Sequence, residues 1–191
     1  MFRMKRILLL VVAMTCALAG PALAQSKPVE YRVLATTRTS TMEKELNDAA
    51  AAGFRFQTVM GGETAGGGKE TVCVMSRTDA KSHFRYKLLA TTRTSTMQKE
   101  MQLAADDGFE YKGQTVFESL LGGREVVIIM ELDKDRPATG WNYRLSATNR
   151  TSTLEKELAE LGDLGYQIVG MTVGQTLTGG RELVSITRRK R

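Results

Sequence analysis

The stretch Tyr31-Arg-Val-Leu-Ala-Thr-Thr-Arg-Thr-Ser-Thr-Met-Glu-Lys-Glu-Leu46 occurs three times in this chain of 191 residues. It returns as Tyr86-Lys-Leu-Leu-Ala-Thr-Thr-Arg-Thr-Ser-Thr-Met-Gln-Lys-Glu-Met101. It returns again as Tyr143-Arg-Leu-Ser-Ala-Thr-Asn-Arg-Thr-Ser-Thr-Leu-Glu-Lys-Glu-Leu158. The copies start 55 and 57 residues apart. Each then reaches a glycine and an aromatic at one offset (Gly53-Phe54, Gly108-Phe109, Gly165-Tyr166). Each reaches Gly-Gly-basic-Glu at another, ending on Glu70, Glu125 and Glu182. No insertion interrupts a copy. Length varies only between copies, in 78–84 and in 133–141, where Pro137 and Gly140 sit. A fixed period of this kind announces a repeated supersecondary unit. The boundaries are 30–78, 85–133 and 142–190.

Within a unit the pattern reads strand, helix, strand, strand. From Tyr31 to Thr37, Tyr31, Val33 and Ala35 alternate with Arg32, Leu34 and Thr36, as in a half-buried strand. Ser40-Thr-Met-Glu43 has the form of a capping box, repeated at Ser95/Gln98 and Ser152/Glu155. On that reading Ser95→Ala removes a cap and costs about 1 kcal/mol. Met42, Leu46, Ala49 and Ala50 follow at helical spacing. Gly53, Gly108 and Gly165 stand where a left-handed residue closes a helix. Gly61-Gly62 and Gly66–Gly68 read as a hairpin tip, because no Lys-Ser/Thr follows them as a phosphate loop requires.

The final strand bears on assembly. Val72/Val74, Val127/Ile129 and Val184/Ile186 form an apolar face in every copy, expected to lie under the helix. The other face is Thr71, Cys73, Met75 in unit 1. It is Val126, Ile128, Met130 in unit 2 and Leu183, Ser185, Thr187 in unit 3. A unit of this size has a marginal core alone. The expected fold class is therefore α+β: three tandem βαββ repeats packed as one body, antiparallel sheets with helices on one face, and the middle copy most enclosed.

The chain begins with Arg3, Lys5 and Arg6, an apolar run over 7–18, and Ala22-Leu23-Ala24. That order marks residues 1–24 as a signal peptide cut before Gln25. Periplasmic or secreted localisation follows, with no transmembrane segment after cleavage. Thr15 before Cys16 is a poor lipobox. The sequence has 27 basic and 21 acidic side chains, and three of the basic ones lie in the signal. The four charges of Arg188–Arg191 read as a solvated tail, which leaves the folded body near neutral. No basic face is visible, so nucleic acid is not an expected partner.

The chain also resembles a family of small uncharacterised bacterial domains. Those begin Tyr-Lys-Val, carry Leu-x-x-x-Gly-x-x-Gly-Trp-Glu-Leu-Val, and close on a strand ending Lys-Arg. The nearest stretch here is Leu161-Gly-Asp-Leu-Gly165-Tyr-Gln-Ile-Val169, with Tyr166 in the tryptophan's place. The resemblance implies a βαββ fold and a binding or scaffolding role, and supplies no catalytic residue.

Chemistry-bearing residues are sparse. His83, the sole histidine, lies in the first linker without a counterpart in other copies. Cys73, the one cysteine after processing, reads as a buried small hydrophobe. Asp106 and Asp107 point to different helix faces. Asn149-Arg-Thr151 matters only on a eukaryotic secretory route. The one repeated constellation is the helix start: Arg38 and Ser40, Arg93 and Ser95, Arg150 and Ser152. Free backbone donors, hydroxyls and a guanidinium there suit an anion. Alternatively the arginines pair with Glu70, Glu125 and Glu182. The expected function is a non-catalytic exported protein binding a protein or envelope partner. The alternative is a small anionic-ligand binder, and an enzyme comes third. No cofactor or metal is expected.

Overall fold

The computed structural model describes residues 28–63, 69–77, 83–91, 93–118, 124–175 and 180–191. Residues 1–27, which include the expected signal peptide, and the glycines at 66–68 lie outside them. The order is β1 (Glu30–Thr36), α1 (Thr39–Ala51), β2 (Arg55–Glu63), β3 (Lys69–Arg77), β4 (Phe84–Thr91), α2 (Thr94–Asp106), β5 (Glu110–Glu118), β6 (Arg124–Asp133), β7 (Trp141–Thr148), α3 (Thr151–Asp163), β8 (Gln167–Gln175) and β9 (Arg181–Lys190). The protein is α+β, with three antiparallel three-stranded sheets ordered β1-β3-β2, β4-β6-β5 and β7-β9-β8. Each unit's last strand is thus the centre of its sheet, and β6 in the middle unit is apolar on both faces.

Gly53, Gly108 and Gly165 close the helices at φ of 91°, 89° and 79°. An L side chain resists that conformation. The pair Gly61-Gly62 lies inside β2, opposite Thr71 and Glu70, rather than at a hairpin tip. A Cβ on Gly61 would sit 2.3 Å from the Val116 carbonyl oxygen. Its bareness therefore serves close approach of β2 to β5.

The two faces of each sheet are covered the opposite way from the expectation. Partners in an antiparallel ladder share a face. Tyr31, Val33 and Ala35 therefore lie with Ser76, Val74 and Val72, here termed the front. The helix lies on the back: Met42, Leu46, Ala49 and Ala50 pack with Phe54, Cys73 and Met75. Met97, Met101, Ala104 and Ala105 pack with Val126, Ile128 and Met130 in the same way. Valine and isoleucine alternate identically on both faces of the middle strand, so alternation names two faces without saying which neighbour covers each. The fronts of units 2 and 3 meet the preceding unit. Tyr86 and Ile129 belong to the cluster around α1, and Tyr143 and Ile186 to the cluster around α2. Five consecutive residues, Val126 to Met130, are buried.

Side chains of α1 and α2 also finish the open edge of the next unit's first strand. The Asn47 amide donates to the Tyr86 carbonyl at 2.9 Å and accepts from its N–H at 3.0 Å. A Glu43 carboxylate oxygen accepts from Leu88 N–H at 2.9 Å. At the following joint, Gln98 donates to the Tyr143 carbonyl and accepts from Leu145 N–H, at 2.8 and 2.7 Å. Gln102 accepts from Tyr143 N–H at 3.0 Å and donates to the Trp141 carbonyl at 3.2 Å. Two side chains on each of α1 and α2 thus stand in for a fourth strand, satisfying edge groups that otherwise invite pairing.

The basic C terminus is no solvated tail. β9 pairs with β7 as far as Lys190 opposite Trp141. The Arg188 guanidinium lies 4.1 Å over the Trp141 ring. Arg189 donates to the Leu164 carbonyl at 2.8 Å, closing the C-terminal end of α3. Arg191 pairs with Asp106, while Asp107 meets Lys87 at 3.7 Å. The two aspartates do face apart.

Candidate interaction surface

The six residues singled out at the helix starts are all exposed, on three separate helices. The capping box does not form. Arg38, Arg93 and Arg150 are the N-caps, in extended backbone, and none of the three helices has a side-chain cap bond. The first helical bond runs from Met42 N–H to the Arg38 carbonyl at 3.2 Å, which puts Ser40 inside the first turn. The structural hydroxyl lies two residues before the cap. Thr36 Oγ1 accepts from Arg38 N–H at 3.2 Å, and Thr91 and Thr148 act alike on Arg93 and Arg150. Threonine turns of this type set the chain's direction before the helix begins. Glu43 and Gln98, the other halves of the presumed boxes, serve the next unit's strand instead. Among the described residues no ion pair joins the three arginines to Glu125 or Glu182. Glu182 accepts from the Thr94 hydroxyl of the preceding unit at 2.7 Å.

The most concentrated polar group was not apparent from the sequence. Glu131 is buried at the joint of units 1 and 2. One of its oxygens takes Arg55 at 2.9 Å and Lys112 at 3.0 Å. The other accepts from the Tyr86 hydroxyl at 2.8 Å. Burial pushes the Tyr86 phenol upward, reinforced by the neighbouring carboxylate, so it stays a neutral donor. That hydroxyl also accepts from Phe56 N–H at 2.8 Å, a group freed by the bulge between Phe56 and Thr58. A cleft of about 230 Å³ opens beside these groups, lined also by Glu110, Arg136 and Trp141. With both oxygens engaged by cations and a phenol, Glu131 fastens the two units together. The only hint in sequence was a carboxylate directly after the apolar run of β6.

The corresponding contact at the next joint has its charges exchanged. Glu110 stands where Arg55 does, and Arg188 where Glu131 does, 4.0 Å apart. Burial raises the Glu110 carboxyl, and the Thr139 hydroxyl with the Lys112 and Arg188 charges more than offsets it, leaving it below the ordinary 4.5. Tyr143 repeats the tyrosine's role, its hydroxyl accepting from Tyr111 N–H at 2.8 Å.

Among the described residues, no unit covers two faces of the stack. The front of unit 1 exposes Tyr31 (66 %), Val33 and Met60, with Val29 beside them. Tyr86 and Tyr143, in the same position, are 1 % and 2 % exposed. The back of unit 3 exposes Ile168 (53 %), Met171, Val173 and Leu164, whereas Phe56, the counterpart of Ile168, is 6 % exposed. Neither patch was foreseen, because the repeats make Tyr31 look like its buried copies.

The remaining reactive groups are quiet. Cys73 is buried in the core, which pushes its thiol up to about 12. His83 is exposed and lies 2.7 Å from Asp135 of the second linker. Among the described residues no cluster of acidic, histidine or cysteine side chains could hold a metal. None of their helices is long and apolar enough to cross a membrane. Comparison with family models, with curated proteins and with solved structures returned no match.

Proposed function

We propose that this chain is a non-catalytic protein of the bacterial periplasm that binds a protein or envelope partner. Its three units act as one packed body, with the apolar end faces as contact surfaces. The leader at 1–24 supports export, and the joints built on Tyr86, Tyr143 and Glu131 support the single body. One observation carries the binding reading: Tyr31, Val33 and Met60 leave an apolar sheet face in water where the other two fronts are covered. Contiguous apolar surface of that kind marks interaction sites on soluble proteins. The resemblance to small bacterial βαββ domains points the same way.

The test places a photo-crosslinking residue at Val33, at Met171 or at Ser40 in the exported protein in cells. Val33 and Met171 should each capture a polypeptide and Ser40 none. Capture from Ser40 alone would contradict the reading, as would an intact mass that retains residues 1–24 on membrane-bound protein.

A further inference from the structure

We propose that the two open faces fit each other: the back of unit 3 seats the front of unit 1 of a second copy, repeating the joint already made twice within the chain. This rests on the partner-binding reading above and names the partner. The two joints within the chain set the pattern, position by position.

At each internal joint, a tyrosine from the front of the later unit enters the earlier unit and takes the N–H of a bulge residue. Tyr86 takes Phe56 and Tyr143 takes Tyr111. The third bulge lies between Ile168 and Gly170, and no tyrosine of the described residues enters it. The remaining tyrosine is Tyr31, exposed on the first front. In a head-to-tail pair, Tyr31 of one copy would meet Ile168 of the other. Val33 would take the place of Leu88 and Leu145, and Met171 that of Val59, which packs in the first joint.

The polar positions agree. The fastening pair is Arg55 with Glu131 at the first joint and Glu110 with Arg188 at the second. At the joint between copies it becomes Gln167 with Ser76, a neutral pair that opposes no like charges. Glu155 corresponds to Glu43 and Gln98, whose carboxylate and amide accept from Leu88 and Leu145 N–H, so it can accept from Val33 N–H. Ala159 stands where Asn47 and Gln102 clamp the strand, so this joint keeps one edge clamp of two. It is accordingly weaker than the internal joints and comes apart on dilution. A joint between unlike faces propagates as a row unless its rotation closes a ring.

Sedimentation velocity of the mature chain over a dilution series reads the association. Wild type should move from single chains toward larger species as concentration rises. Tyr31→Asp, broken at the head, and Ile168→Glu, broken at the tail, should each associate roughly a hundredfold more weakly, since a lone charge is costly to bury. Mixed in equal amounts they should form a pair and nothing larger, because one intact tail and one intact head remain between them. Both residues are exposed, so the variants should melt as wild type does. If either fails to fold, Val33→Lys or Met171→Lys performs the same test. Single chains at every concentration, or variants that associate as wild type does, would overturn the proposal. Capture of a different polypeptide at Val33 alongside single chains would overturn it and leave the partner-binding reading standing. Single chains with no capture would remove both.

Discussion

Tyr31 and Tyr86 begin the same strand of consecutive units, with nearly the same sixteen residues around them, and end in opposite environments. Tyr86 is enclosed between two units and bonds Phe56 and Glu131, while Tyr31 stands in water. Local sequence fixes strand, face and register in both. What differs is whether a described unit packs against that front. Burial in a stack is thus a property of position in the row, which a single unit's sequence does not encode.

The sharpest way to break that comparison is to truncate both tyrosines. Tyr86→Ala removes a buried aromatic, takes one hydrogen bond from the Glu131 carboxylate and deprives the Phe56 N–H of its acceptor, so urea denaturation should show a loss of about 3–5 kcal/mol. Tyr31→Ala, measured on dilute single chains, should stay within about 0.5 kcal/mol. Equal losses would mean that Tyr31 has an enclosure like that of Tyr86.

A smaller contrast sharpens the account of the helix starts. Thr91→Ala removes the hydroxyl that holds Arg93 N–H and should cost about 1 kcal/mol. Ser95→Ala, within the first turn and uncapped, should change stability by less than about 0.5 kcal/mol. Thermal melts of the two variants decide between them, and the reverse order would restore the capping box.

The sequence carried much of this fold in plain view. The identical offsets of Gly53, Gly108 and Gly165 marked the helix ends, and alternation in 72–75, 126–130 and 183–187 marked the central strands. Other features depended on neighbours. Thr36, Ser40 and their companions offer several hydroxyls, and only the backbone path selects the one that bonds. Glu43 and Gln98 satisfied a local rule yet are taken by the edge of the next strand. The helix lies on the back of the sheets, while in units 2 and 3 the front faces the preceding unit, and the central strand of unit 2 is apolar on both sides, so alternation alone did not assign the faces. Glu131, Arg55 and Lys112 are far apart in sequence and meet only when two units close.

The central claim is that each unit borrows the cover of its neighbours, and the middle unit tests it most directly. Expressed alone, residues 84–135 would expose Tyr86, Val127 and Ile129 on one face. They would also lose the Tyr143 and Ile186 that complete the other core. The proton–nitrogen NMR spectrum of the fragment should collapse into the narrow range of an unfolded chain, beside a dispersed spectrum for residues 25–191. A dispersed spectrum and a cooperative melt from the fragment alone would contradict it.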